Sequence, residues 1–167
     1  FIADAFNESC NPHIQTDGLV RQMTSLSRVI VDSGRDFRLI VSPDKSSILS
    51  DYLPNTFDLK NCFETYNNDF WTQLSSSDIS GFVDLRSELK AQRISRREIL
   101  YKKRDSHWDN VGGAMASKAV VNSISAGLWE DDLLKFMGLL SEGGDLDLLL
   151  GSSFIDSVPS YSLTRAD

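Results

Sequence analysis

Asp105 and His107 stand two residues apart in the stretch Arg104-Asp105-Ser106-His107-Trp108, and this pair has a well-defined chemistry open to it. A histidine acting as general base presents one ring nitrogen to a hydroxyl nucleophile. Its other nitrogen then needs an acceptor that holds the tautomer and stabilises the imidazolium. A carboxylate two positions upstream on a bent loop reaches that second nitrogen. Two other readings compete. In one, the loop is solvated and Asp105 merely caps a turn, which is the commoner fate of an isolated Asp-x-His. In the other, Asp105, His107 and Asp109 ligate a metal. No further His or Cys cluster completes such a site, so no metal is expected.

The pair must be presented by its neighbours. Residues 99–103 read as a short strand, and Asp109 or Asn110 can cap a helix that begins near Val111. Asp105 and His107 are then expected at the carboxyl end of a strand, the edge at which open α/β sheets bind ligands. Upstream, Leu19, Met23, Leu26 and Ile30 recur at helical spacing, with Gly34 as a stop. Residues 37–41 form a mostly apolar run suited to a strand covered on both faces. Pro43-Asp44-Lys45 would end that strand on the same edge if the strands are parallel. Lys45 is therefore a candidate for contacting substrate or holding a carboxylate. Alternatively, Asp44 caps a helical turn and Lys45 is exposed.

Phe63, Tyr66, Phe70 and Leu74 make another helical stripe beside Trp71, more suited to core packing than to stacking on sugars. Residues 81–85 read as a strand that leads into a basic helix from Arg86. Asp84 lies near the end of that strand, with nothing else to mark it as catalytic. After the Asp-x-His loop, Val111, Ala114, Met115 and Val121 share a helix face. Gly112-Gly113 near its start is costly for a helix and points to close approach of another backbone. Glu130, Asp131 and Asp132 suit the first turn of a further helix. Leu133, Phe136, Met137 and Leu140 would be its buried face, and Gly143-Gly144 its end. Alternating helices and strands predict an α/β doubly wound parallel sheet.

A longer pattern surrounds the pair. Tyr101, three residues, Asp105-Ser106-His107-Trp108, three residues and Gly112-Gly113-Ala114 resemble the Asp-Thr-His-Trp signature of the alginate O-acetyltransferase family, SGNH-hydrolase-like proteins that acetylate exopolysaccharides. Val41-Ser42-Pro43-Asp44-Lys45 upstream and Gly144-Asp145-Leu146 downstream fall in the family's order, so the resemblance spans most of residues 36–150. It implies a flavodoxin-like SGNH fold, with Asp105 and His107 as two members of a Ser-His-Asp triad. Lys45, Tyr101 and Trp108 become candidates for binding substrate. A polysaccharide, an acetyl donor and a membrane-bound acetyl-transfer partner are the partners it implies, with no cofactor and an extracytoplasmic location.

The third triad member is not obvious. In this family the order is permuted, with Asp-x-His first and a Gly-x-Ser block later, and no Gly-Asp-Ser occurs in this chain. Gly151-Ser152-Ser153-Phe154 follows Leu148-Leu149-Leu150 and offers Ser153 as a strand-to-turn nucleophile. It comes almost directly after Gly144-Asp145-Leu146, whereas the family leaves a good distance there. The nucleophile is therefore expected beyond Asp167, in a single SGNH-hydrolase-like domain over residues 1–167 that is a piece of a longer protein. The alternative is a non-catalytic polysaccharide-binding or assembly module on the same fold.

Composition bounds these readings. At 167 residues the chain suits one domain, and 41% hydrophobic with 25% charged residues is ordinary for a globular protein. No apolar run approaches the ~20 residues needed to span a bilayer. A net charge of −7 argues against a nucleic-acid partner. Arg86, Lys90, Arg93, Arg96, Arg97, Lys102, Lys103 and Arg104 crowd the approach to the loop, either as a rim for an anionic polysaccharide or as a solvated face. Cys10 and Cys62 are two buried thiols or one disulfide. Spacing alone does not decide, and the location implied by the resemblance favours the bridge.

Overall fold

A computed structural model describes residues 10–11, 16–96 and 100–164. The chain divides into two compact units, one made of the residues through Val41 together with Leu49–Asp84, the other of Ser42–Ile48 together with the residues from Leu85 onward.

In the first unit, helix α1 (Thr16–Asp32) packs on helix α3 (Lys60–Ser76). Strand β1 (Leu39–Ile40) pairs in parallel with β2 (Phe82–Val83), Leu39 facing Phe82. The core is Val20, Trp71, Leu74 and Ile79, with Met23, Phe37, Leu39, Val41, Phe70 and Phe82 packed around it. The helices match the sequence spacing, and Phe63 and Leu74 are buried as expected, but the inward face of α1 is rotated. Leu19 and Leu26 are exposed while Val20 and Ser27 are buried, and Trp71 is buried more deeply than Phe70. Ser27 is tolerated inside because its hydroxyl donates to the Thr24 carbonyl at 2.8 Å. Gly81, at φ 72°, leaves no room for a Cβ against the Phe37 carbonyl. Ser75 donates to Asp84, which thus serves the packing of this unit. Cys10 and Cys62 are joined by a disulfide with Cα atoms 5.7 Å apart.

The second unit holds α2 (Lys45–Ile48), α4 (Leu85–Arg96), α5 (Asn110–Ile124), β3 (Leu134–Glu142), α6 (Asp145–Leu150) and β4 (Asp156–Leu163). Helix α4 packs on α2 and α5, and α5 packs on β4. Ile48, Leu85, Leu89, Leu100, Tyr101, Val111, Met115, Ala116 and Val158 are its buried apolar residues among those described.

Three expectations change here. The helix expected through Leu133, Phe136, Met137 and Leu140 is instead a single 3-10 turn at Asp131–Leu133 followed by strand β3, antiparallel to β4. Phe136, Met137 and Leu140 are exposed. Gly138, at φ 115° beside a register shift, favours a bulged strand over a helix interior. The strand expected at 99–103 is reduced to a single antiparallel bridge between Tyr101 and Trp108. The chain turns back on itself there, so no ladder extends; its first residue, Ile99, lies outside the described residues, as does Arg97. Finally, Leu148-Leu149-Leu150 is the end of helix α6, closed by Gly151 at φ 64°, rather than a strand entering a turn. The architecture is thus mixed helix and strand, with one parallel and one antiparallel two-stranded sheet among the described residues.

Candidate active site

The Asp105–His107 loop is shaped by its own backbone. Tyr101 and Trp108 form the bridge that closes it, and the Asp109 amide donates to the Leu100 carbonyl at 3.0 Å. Asp109 then caps α5, its Oδ1 accepting from the Gly112 amide at 2.8 Å. A Cβ on Gly112 would meet the Leu100 carbonyl and the Trp108 Cβ. Glycine there lets the helix start lie directly against the loop, the close approach that the sequence suggested.

Within the loop, Asp105 Oδ1 accepts from the His107 amide at 2.8 Å and lies 2.7 Å from His107 Nδ1. The same oxygen therefore fixes both the turn and the ring. The Asp105 side chain is 7% exposed and the His107 side chain 75%, so an inward carboxylate holds an outward imidazole through Nδ1. Lys102 Nζ sits 3.1 Å from Asp105 Oδ2 and 3.1 Å from Glu142 Oε2. Burial pushes the Asp105 carboxyl up, but the His107 amide and ring and the Lys102 ammonium outweigh it and hold the group down at about 2. Burial likewise pulls Lys102 down, and its bonds to Glu142 and Asp105 more than offset this, raising it.

Lys45 reaches the loop from α2. Asp44 caps that helix, accepting from the Ser47 amide at 2.7 Å. Lys45 Nζ donates to the carbonyls of Lys102 at 2.6 Å, Lys103 at 2.8 Å and Asp105 at 3.1 Å. Its three protons are committed to the backbone of the loop, and burial lowers its pKa. Tyr101 is buried and donates its hydroxyl to the Pro43 carbonyl at 2.6 Å, and burial raises its pKa. Trp108 is half-buried, its indole beside Gly113. Of the residues singled out for substrate, Lys45 and Tyr101 thus spend their polar groups on holding the loop.

Ser153 lies exposed in the loop between α6 and β4. The hydroxyl near His107 is that of Ser106, 3.5 Å from Nδ1, and it donates to Asp145. Ser106 is therefore on the wrong ring nitrogen to act as the nucleophile. The basic stretch is mostly internally engaged. Lys102 pairs as above, Arg93 donates to the Ile48 carbonyl, and the Arg104 guanidinium stacks 4.1 Å from the centroid of Phe154.

Asp105, His107 and Asp145 offer one ligand atom each within 4.8 Å of one another. The Lys102 ammonium on Asp105 and the imidazole and amide on its other oxygen already occupy the donors that a cation would take. Asp145 and Glu142 were not assigned roles from the sequence, and Lys102 was placed only in the basic stretch, as a rim or a solvated face, whereas it pairs with Asp105 and Glu142. The signal for Lys102 was its place three residues before Asp105; that for Asp145 was only its position in the Gly144-Asp145-Leu146 landmark.

An inward carboxylate bonded to an outward imidazole, on a loop clamped from three sides, is geometry that can hold one ring tautomer in place. Residues 1–152 match the family described as SGNH hydrolase-like domain, acetyltransferase AlgX. The chain belongs to that family. Comparison with curated proteins and with solved structures gave no match. The AlgX family assignment accords with the α/β character and with the order of the motifs around the Asp-Ser-His-Trp loop. Among the described residues no helix is long and apolar enough to cross a membrane.

Proposed function

We propose that this chain carries the Asp–His part of a Ser-His-Asp triad that transfers acetyl groups to, or removes them from, a carbohydrate such as an exopolysaccharide. The observation that supports it is the 2.7 Å contact of His107 Nδ1 with buried Asp105, which leaves Nε2 to meet a hydroxyl. The serine would come from a Gly-x-Ser block outside these residues, within one SGNH-hydrolase-like domain built on a doubly wound parallel sheet. His107 takes the serine proton as Oγ attacks the acetyl carbonyl, and returns it to the departing group of the donor. It then takes the proton of a sugar hydroxyl or of water, which attacks the acetyl-serine, and gives that proton to the departing serine Oγ as the ester or acetate is released. Asp105 keeps the imidazole in the tautomer protonated on Nδ1. No organic cofactor enters this sequence. The setting is extracytoplasmic, with a polysaccharide, an acetyl donor and a membrane-bound acetyl-transfer partner.

The test is hydrolysis of 4-nitrophenyl acetate by the natural chain extended through a downstream Gly-x-Ser block. Activity well above the rate of the free chromogenic ester is expected, with His107→Ala removing most of it and Asp105→Ala nearly as much. Ser153→Ala should change little. An active 167-residue chain inactivated by Ser153→Ala alone would overturn the placement of the nucleophile. An inactive long chain that still binds polysaccharide would instead favour a binding or assembly module.

A further inference from the structure

Asp145 opens helix α6, yet its carboxylate is turned away from that helix. Oδ1 accepts from the Ser106 amide at 2.7 Å, Oδ2 accepts from the Ser106 hydroxyl, and Oδ2 lies 3.6 Å from His107 Nδ1. The docking is reinforced on the backbone. The Leu146 amide donates to the Arg104 carbonyl at 3.1 Å. Gly144 lies so close to the same carbonyl that a Cβ would overlap it. Residues 144–146 are therefore locked against 104–106 by two backbone contacts and one bidentate carboxylate.

Ser106 is the residue between the two members of the pair. Holding both its amide and its hydroxyl fixes the peptide planes that aim Asp105 inward and His107 outward. We infer that Asp145 is a positioning residue for His107, securing the loop through Ser106 and placing a second carboxylate at the Nδ1 edge of the ring. Two carboxylates on one edge favour the proton on Nδ1 and leave Nε2 free of it, the form a base requires. This inference rests on the proposed role of His107 as base, but the geometry it concerns exists without a nucleophile.

The charged groups around the ring are Asp105 and Asp145 at Nδ1, with Lys102, Glu142 and Lys45 behind Asp105. Asp109 is turned to Gly112. Asp145→Asn keeps acceptor and size but removes one charge from this set.

The chain has two histidines, His13 and His107, so ring resonances of isotopically labelled 167-residue protein report on His107 with His13 as internal reference. Asp145→Asn should lower the share of the Nδ1-protonated His107 tautomer severalfold, read from the ring nitrogen shifts, and leave the His13 tautomers in place. Asp145→Ala should also speed exchange of the Ser106 amide by about tenfold or more. Asp147→Asn is the control for merely structural damage. Asp147 lies in the same helix and binds Ser152 at 2.6 Å, so this variant should shift neither reading. If Asp145→Asn disrupts folding, Ser106→Ala provides the second route. It removes the hydroxyl contact and keeps the amide donor, so the Ser106-site amide should stay protected while the Nδ1-protonated tautomer loses population. Unchanged His107 tautomers in the Asp145 and Ser106 variants with unchanged Ser106 amide exchange in Asp145→Ala, or equal changes in Asp147→Asn, overturn the inference. Because none of these readings needs turnover, failure of the esterase assay would strike the proposed reaction and not this positioning role.

Discussion

Lys102 Nζ stands 3.1 Å from Asp105 Oδ2, on the carboxylate oxygen opposite the one that His107 uses. One buried acid is thus shared between an ammonium and an imidazole ring. Its folded-state carboxyl lies at about 2 against an ordinary 3.8. A depressed carboxyl contributes stability that is fully present above its unfolded value and disappears as pH falls through the folded one.

The stability gap between the natural chain and Asp105→Asn should therefore be widest above about pH 4 and shrink by roughly 1–2 kcal/mol on the way to about pH 2. Urea unfolding at a series of pH values measures it. A gap independent of pH would show that Asp105 is not held ionised by its partners.

Lys45 should behave as a structural clamp on the loop. Lys45→Met leaves three loop carbonyls without their donor and should cost about 2–3 kcal/mol. Arginine should restore little of this, because its planar fork cannot converge on three carbonyls as an ammonium does. Denaturation midpoints, with amide exchange at residues 102–106, check both. A fully stable Lys45→Met would return Lys45 to the list of substrate contacts.

Three glycines near the site should respond differently to alanine. Gly112→Ala and Gly144→Ala drive a methyl into the carbonyls of Leu100 and Arg104 and should destabilise by about 2–4 kcal/mol. Gly113, whose Cβ would meet Trp108 only at ordinary contact distance of 3.5 Å, should gain up to ~1 kcal/mol from improved helix propensity. Thermal melts of the three variants give the ranking directly.

Denatured, unreduced protein should show no thiol that reacts with a maleimide, since Cys10 and Cys62 close a loop with a separation of 52 residues. Replacing both by serine should cost about 2–4 kcal/mol. Two reactive thiols in protein made under oxidising conditions would count against the bridge.

The parts of the fold that could be read from the sequence were the local ones. Apolar spacing located α1, α3 and α5, and the Asp44 and Asp109 caps followed from residue type at a helix start. The failures were long-range. Leu133, Phe136, Met137 and Leu140 fit helical spacing, yet that stretch is held as β3 by pairing with β4, Phe136 opposite Tyr161, a partner invisible to local periodicity. Gly138 was the available warning. The same division runs through the site. Asp105 and His107 were legible because they are neighbours in sequence. The roles of Lys45 and Asp145 were not, because each acts on the loop from a distant segment.

That distance has a kinetic side. The loop is anchored by Lys45, 60 positions before Asp105, and by Asp145, 39 positions after Ser106. Contacts of such separation must meet the entropy of closing long loops before they reward it, so they form late. A chain emerging from the ribosome would carry the Asp-x-His sequence well before it could hold an Asp–His geometry. The anchors on Ser106 and Arg104 are in place only once residues 144–146 have emerged and docked. Up to that point the nascent segment has the residues of the proposed base without the anchors of its loop.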